Sequence, residues 1–196
     1  MTNRDPNAEQ DVSPVVTLRT TGSTVLFFTI SAICALGVGS IVAGDFTFRG
    51  LVVAGVPVAV FMIVFALYRF PRVELRHQEL ALINPLQSIV IPWNLIDGFD
   101  THFGLNVRTP EASYSSWPLA GRGKKMEKDE HGIRRLIENP NPSVDAVLDH
   151  FAGLGDDELA NPRGLRTVTT TWNVGLIAAV IGTLIWAVFG FAAVPG

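Results

Sequence analysis

Hydrophobic and polar positions follow two different rhythms along this chain. Three runs hold no charged residue at all: 21–44, 50–68 and 167–196. At a rise of about 1.5 Å per residue, each can cross a hydrocarbon layer of about 30 Å as a helix. Between the second and third runs the rhythm changes. Residues 72–119 alternate apolar and polar with a period of two, the signature of strands with one buried face.

The apolar runs predict three membrane spans, at residues 25–43, 51–68 and 173–193. Only residues 44–50 join the first two, so these must form an antiparallel hairpin, and Asp45 and Arg49 belong at its membrane surface. Pro57 is expected to bend the second span without ending it. Trp172 is placed like an interfacial anchor. Gly182 and Gly190, eight residues apart on one helix face, are candidates for close helix packing. Charge gives the orientation. Of the 15 Lys and Arg residues, 12 fall between Arg69 and Arg166, while Arg49 alone lies in the loop between the first two spans. The positive-inside rule then places residues 69–166 and the N-terminus in the cytoplasm, with the C-terminus external. The 20 residues before the first run are polar and read as a flexible cytoplasmic tail. They lack the short apolar core and cleavage site of a secretory signal.

The alternating region divides at turns. "RVELRH" and "ELALI" are separated at His77-Gln78, and "SIVI" follows the turn Asn84-Pro85-Leu86-Gln87. Pro92 has no backbone donor and belongs at a strand end or edge. Residues 105–109 and 112–119 supply two more strands, for five or six in all. "INPL" running into "IPWNLI" carries a resemblance: Asn84, Pro85, Leu86, Pro92, Trp93 and Ile96 match the pattern of bacterial pleckstrin-homology-like domains in actinobacterial membrane proteins. The resemblance covers residues 72–119 and implies a seven-stranded sheet capped by a helix, beside two or three membrane spans. After Pro118 the chain departs from that pattern. It reads as a polar linker with a helix starting at Asp129 or Glu130, carrying Ile133, Leu136 and Ile137 and ending at Pro140. A second helix is expected to start at Ser143, with Val144, Val147, Leu148 and Phe151 on one face.

The fold expected is therefore an α+β membrane protein with three transmembrane helices, two N-terminal and one C-terminal. A small antiparallel PH-like cytoplasmic domain is inserted between spans two and three. The divisions are a tail (1–20), a transmembrane hairpin (21–70), the PH-like β domain (71–120), a linker with short helices (121–166) and a C-terminal transmembrane helix (167–196).

Candidate chemistry changes this picture little. His77, His102, His131 and His150 are scattered, and His150 with Asp145 and Asp149 reads as a solvated helix face. "GLGDDE" lacks the ligand spacing of a calcium loop. Ser113, Ser115 and Ser116 have no base close in sequence, and "GRGKK" lacks phosphate-loop spacing. The lone Cys34 can form no internal disulfide. No catalytic set, metal site or cofactor is expected, and a net charge of −3 without a basic stripe argues against nucleic acid. The basic group Arg122, Lys124, Lys125 and Lys128 is the candidate contact for an anionic headgroup or a partner. Spans free of ionisable groups argue against an ion pathway. The expectation is a non-catalytic protein of the bacterial inner (plasma) membrane, an accessory or scaffolding subunit whose partners are other integral membrane proteins. The alternatives are a lipid-headgroup-binding or sensing module of the cell envelope, or an auxiliary component of a respiratory or transport complex.

Overall fold

The computed structural model describes residues 16–19, 21–44, 47–102, 104–120, 124–128, 134–138, 141–155, 159 and 167–192. The chain divides into a unit of helices and a unit built mainly of strands, an α+β composition.

In the helical unit, α1 (Thr21–Gly44) runs 24 residues without a charge. Its hydroxyls bond back along the helix. Thr29 donates to the Val25 carbonyl at 3.0 Å, Ser31 to Phe27 at 2.7 Å and Ser40 to Leu36 at 2.8 Å. Bonding four residues back satisfies a hydroxyl where water is absent. The next apolar stretch comes in pieces: α2 (Phe48–Val53), α3 (Gly55–Val64) and a π-helical turn, Phe65–Arg69. Thr47 caps α2 by accepting from the Gly50 N–H at 3.3 Å. Pro57 has no N–H to offer the Val53 carbonyl, and that missing rung falls where α2 gives way to α3.

Among the described residues, two helices, not the three expected, are long and apolar enough to cross a membrane. They are Gly22–Gly44 with 23 residues and the composite Phe48–Arg69 with 22. The third expected span, 173–193, is an apolar helix, α5 (Val174–Ala192), but its apolar stretch Val174–Gly190 is shorter. Asn173 flanks the helix: its carbonyl accepts from the Ile177 N–H at 3.0 Å, and its own N–H, which has no acceptor within the helix, is donated to the Leu86 carbonyl at 2.9 Å. Seventeen residues rise only about 26 Å, short of a hydrocarbon layer of about 30 Å.

The strand-rich unit also departs from expectation. Its five-stranded sheet has the order β1-β2-β3-β4-β10, formed by β1 (Val16–Leu18), β2 (Arg72–Leu75), β3 (Glu79–Ile83), β4 (Gln87–Pro92) and β10 (Thr169–Trp172). Both edge strands come from segments read as a tail and as the start of a membrane span. The antiparallel register sets Val73 opposite Leu82, Leu75 opposite Leu80, and Leu80 opposite Ile91, so one face is continuously apolar. A second sheet, β5 (Gly98–Asp100), β6 (Gly104–Arg108) and β7 (Ser113–Ala120), lays β7 against β2 and β3. A third is a two-stranded ribbon, β8 (Lys124–Lys128) with β9 (Arg134–Glu138).

Among the described residues these sheets stay separate and none curls into a PH-like barrel, so the PH-like domain expected between the spans is not what forms. The reason is local. β10 occupies the edge of β4 that a continuing meander would use, and the chain leaves β4 through Pro92 into the 3-10 turn Trp93–Leu95. β5 therefore starts a new sheet. β9 likewise replaces the end of the helix expected from Asp129 or Glu130. Five residues are too few to nucleate a helix alone, and cross-strand pairing with β8 decides their state. Helix α4 (Pro142–Ala152) does form, capped by Asn141, whose Oδ1 accepts from the Ser143 N–H at 3.1 Å. Pro142 takes the first helical position, where its missing donor costs nothing. The core joins Trp93, Leu105 and Leu119 with the apolar face of β2–β4 and with Val144 and Val147 of α4.

Candidate functional site

The motif residues Asn84 and Trp93 both tie distant parts of the strand-rich unit together. Asn84, in the turn after β3, donates through Nδ2 to the Ser115 carbonyl at 2.9 Å and accepts through Oδ1 from the Trp117 N–H at 2.7 Å. Its amide thus imitates a strand neighbour for β7 and links the first two sheets. Trp93 is 1% exposed, and its indole N–H donates to the Arg76 carbonyl at 2.8 Å. The bond satisfies the one polar atom of an otherwise apolar side chain. Of the other motif residues, Pro92 ends β4, Ile96 joins the core, and Pro85 and Leu86 form the turn, where Leu86 is exposed.

Reading the residues singly missed a cluster on β2. Arg72 and Glu74 lie on the strand face opposite Val73 and Leu75. Glu74 is buried, with Arg72 Nε at 2.6 Å and Arg76 Nη2 at 2.7 Å, while Arg76 Nη1 also meets Glu79 at 2.6 Å. Burial pushes the Glu74 carboxyl up, but hydrogen bonds from Arg76 and Arg72, with their charges, outweigh it and hold the group below its ordinary value. Burial likewise pushes Arg76 down, and its bonds to Glu74 and Glu79 reverse the sign. The spacing Arg-x-Glu-x-Arg was the available signal, since a two-residue period places all three on one strand face.

The predicted basic group is split. Lys124, Lys125 and Lys128 lie on β8, and Arg122 lies outside the described residues. The ribbon register adds two cations that were not grouped with them: Arg134 stands opposite Lys128, and Arg135 opposite Glu127. His150 packs against Trp93 with ring centroids 5.4 Å apart and planes tilted by 50°; His77 and His102 are exposed, and His131 is outside the described residues. Among the described residues, no group of three His, Cys, Asp or Glu side chains could hold a metal ion.

In the helical unit the two predicted glycines differ. A Cβ built at Gly190 would run into the Val52 carbonyl oxygen, whereas one at Gly182 would meet open space. Gly55 is the counterpart that was missed: a Cβ there would lie 2.9 Å from Trp186 Cδ1. An apolar groove of about 730 Å³ is lined by Ile33, Cys34, Gly37, Val53, Pro57 and Gly190. A second of about 510 Å³ shares Cys34 and Pro57 and adds Gly39 and Phe61. No family model, curated protein or solved structure matches this chain. The resemblance drawn from "INPL" and "IPWNLI" therefore has no support beyond those residues.

Proposed function

We propose that this chain is a non-catalytic integral protein of the bacterial plasma membrane, an accessory or scaffolding subunit that binds other membrane proteins through its helices. The observation that carries the reading is the apolar surface of the helical unit. Phe28, Ile33 and Leu36 of α1 and Val188 and Phe189 of α5 are all more than half exposed. Apolar surface of this kind is stable against lipid tails or another helix, and unfavourable against water. Grooves floored by glycine suit close approach of a further helix, because small residues let backbones come together. Arg69, Arg72 and Arg76 directly follow the second crossing, so the strand-rich unit belongs on the cytoplasmic side.

Gentle detergent extraction of the full chain tests this. A stoichiometric membrane-protein partner is expected, and Gly37→Leu, which fills the larger groove, should release it. A monodisperse monomer from the native membrane would overturn the reading.

A further inference from the structure

We propose that Leu86 and Trp172 form one contact with the boundary between lipid headgroups and acyl chains, at the level where the second apolar helix ends. Both belong to the helical unit, which takes in Pro85–Gln87 as well as the chain from Trp172 onward. Leu86 is 58% exposed and Trp172 64% exposed, and Val174 at the start of α5 is exposed too. The backbone holds them in one place: the N–H of Asn173, next to Trp172, reaches the Leu86 carbonyl at 2.9 Å. A single exposed leucine is ordinary on a protein surface, whereas large apolar residues grouped together mark a contact surface.

Helix packing fixes the depth of this group. A Cβ at Gly55 would meet Trp186, and one at Gly190 would meet the Val52 carbonyl, so α5 runs antiparallel to α2 and α3. Counting back along α5 from Trp186 to Val174, and the same number of residues forward from Gly55, reaches Leu67, about 18 Å along at about 1.5 Å per residue. Trp172 therefore lies level with Tyr68 and Arg69, the last two residues of the π-helical turn. Arg69 is the first charge after the uncharged run 50–68, and Tyr68 is exposed. Trp and Tyr at such a level form an aromatic belt, with the ring against the acyl boundary and the polar atom among headgroups. Leu86 has no polar side-chain atom and suits the acyl side of the same boundary. Leu86 and Trp172 carry no charge, so the contact depends on the step from polar to apolar layers and not on headgroup charge.

Lipid is favoured over a protein occupant because the group continues the exposed apolar surface of α5, which includes Val188 and Phe189, to the depth where a bilayer turns polar. The inference rests on the membrane reading above.

The test uses the full chain with Cys34→Ala and a single Leu86→Cys carrying a nitroxide. It is placed in nanodiscs of phosphatidylcholine alone or of phosphatidylcholine mixed with phosphatidylglycerol. Collision of the nitroxide with oxygen, which concentrates in lipid, is compared with collision with a neutral, water-soluble nickel chelate. Oxygen is expected to dominate in both discs and by the same ratio. Trp172→Gln should shift that ratio about fivefold toward nickel, while Trp172→Phe should retain most of it. Dominance of nickel in either disc, or a ratio indifferent to Trp172→Gln, would overturn the shared contact. Exclusion of both reagents would mean that protein covers the group, and would overturn the lipid assignment. A chain that enters neither disc would overturn the membrane reading itself.

Discussion

Glu74 is tolerable inside a sheet because two arginines answer it. A buried carboxylate without partners costs several kcal/mol, and removing one member of a buried pair leaves the other stranded. Glu74→Ala should therefore destabilise the strand-rich unit by about 3 kcal/mol, read from denaturant unfolding followed by Trp93 fluorescence. The same residue sets a pH dependence. Its folded pKa lies below the ordinary value of 4.5. Its contribution is therefore complete above that value and is lost as pH falls through the lowered folded value. Stability of the natural chain should drop steeply in that acid range, and Glu74→Gln should flatten the drop. An unchanged acid slope in the variant would refute the assignment. Asn84→Ala should cost about 1–2 kcal/mol by removing both bonds to β7. Asn84→Asp should not rescue the loss: one oxygen can still accept from the Trp117 N–H, but the other replaces the donor and faces the Ser115 carbonyl, acceptor against acceptor. The charged face of β2 was legible from its two-residue spacing. The role of Asn84 was not, because its partners lie 31 and 33 residues away.

At the scale of elements, glycine positions separate packing from open surface. Gly190→Leu should force α5 away from the Val52 carbonyl and destabilise the helical unit by about 1–3 kcal/mol. Gly182→Leu, with open space around it, should stay within about 0.5 kcal/mol. Thermal unfolding of the two variants in the same detergent makes the comparison, and equal losses would contradict the packing described. From sequence both glycines lay on one apolar helix with the same claim to packing; only the position of Val52 distinguishes them. The strands show a similar limit. β2, β3 and β4 were readable from alternation, but β1 and β10 were not. Three or four residues of mixed polarity become strands only because a neighbour offers unpaired backbone groups. β9 was misread because Ile133, Leu136 and Ile137 satisfy a helical spacing locally, whereas the state of Arg134–Glu138 is decided by pairing with β8.

For the whole molecule, the proposed membrane reading with two crossings puts the segment before α1 and the segment after the π-helical turn on the same side. A reporter inserted at Pro110-Glu111, in the turn between β6 and β7, should read as cytoplasmic, and so should one fused ahead of α1. Reporters on opposite sides would reduce the crossings to one, and two external reporters would invert the orientation. Uncharged runs, alternation and the position of arginines were sufficient to separate a helical part from a strand-rich part, since hydropathy and charge act on each residue where it stands. The resemblance carried by the Asn84-Pro85 turn and the Pro92-Trp93 step marked Asn84 and Trp93 without saying what either does. Tertiary structure alone decided the number of adequate spans, the separation of the sheets and the pairing of Lys128 with Arg134. Each of these depends on which distant backbone groups meet, such as the Asn173 N–H with the Leu86 carbonyl, and one-dimensional patterning does not encode such meetings directly.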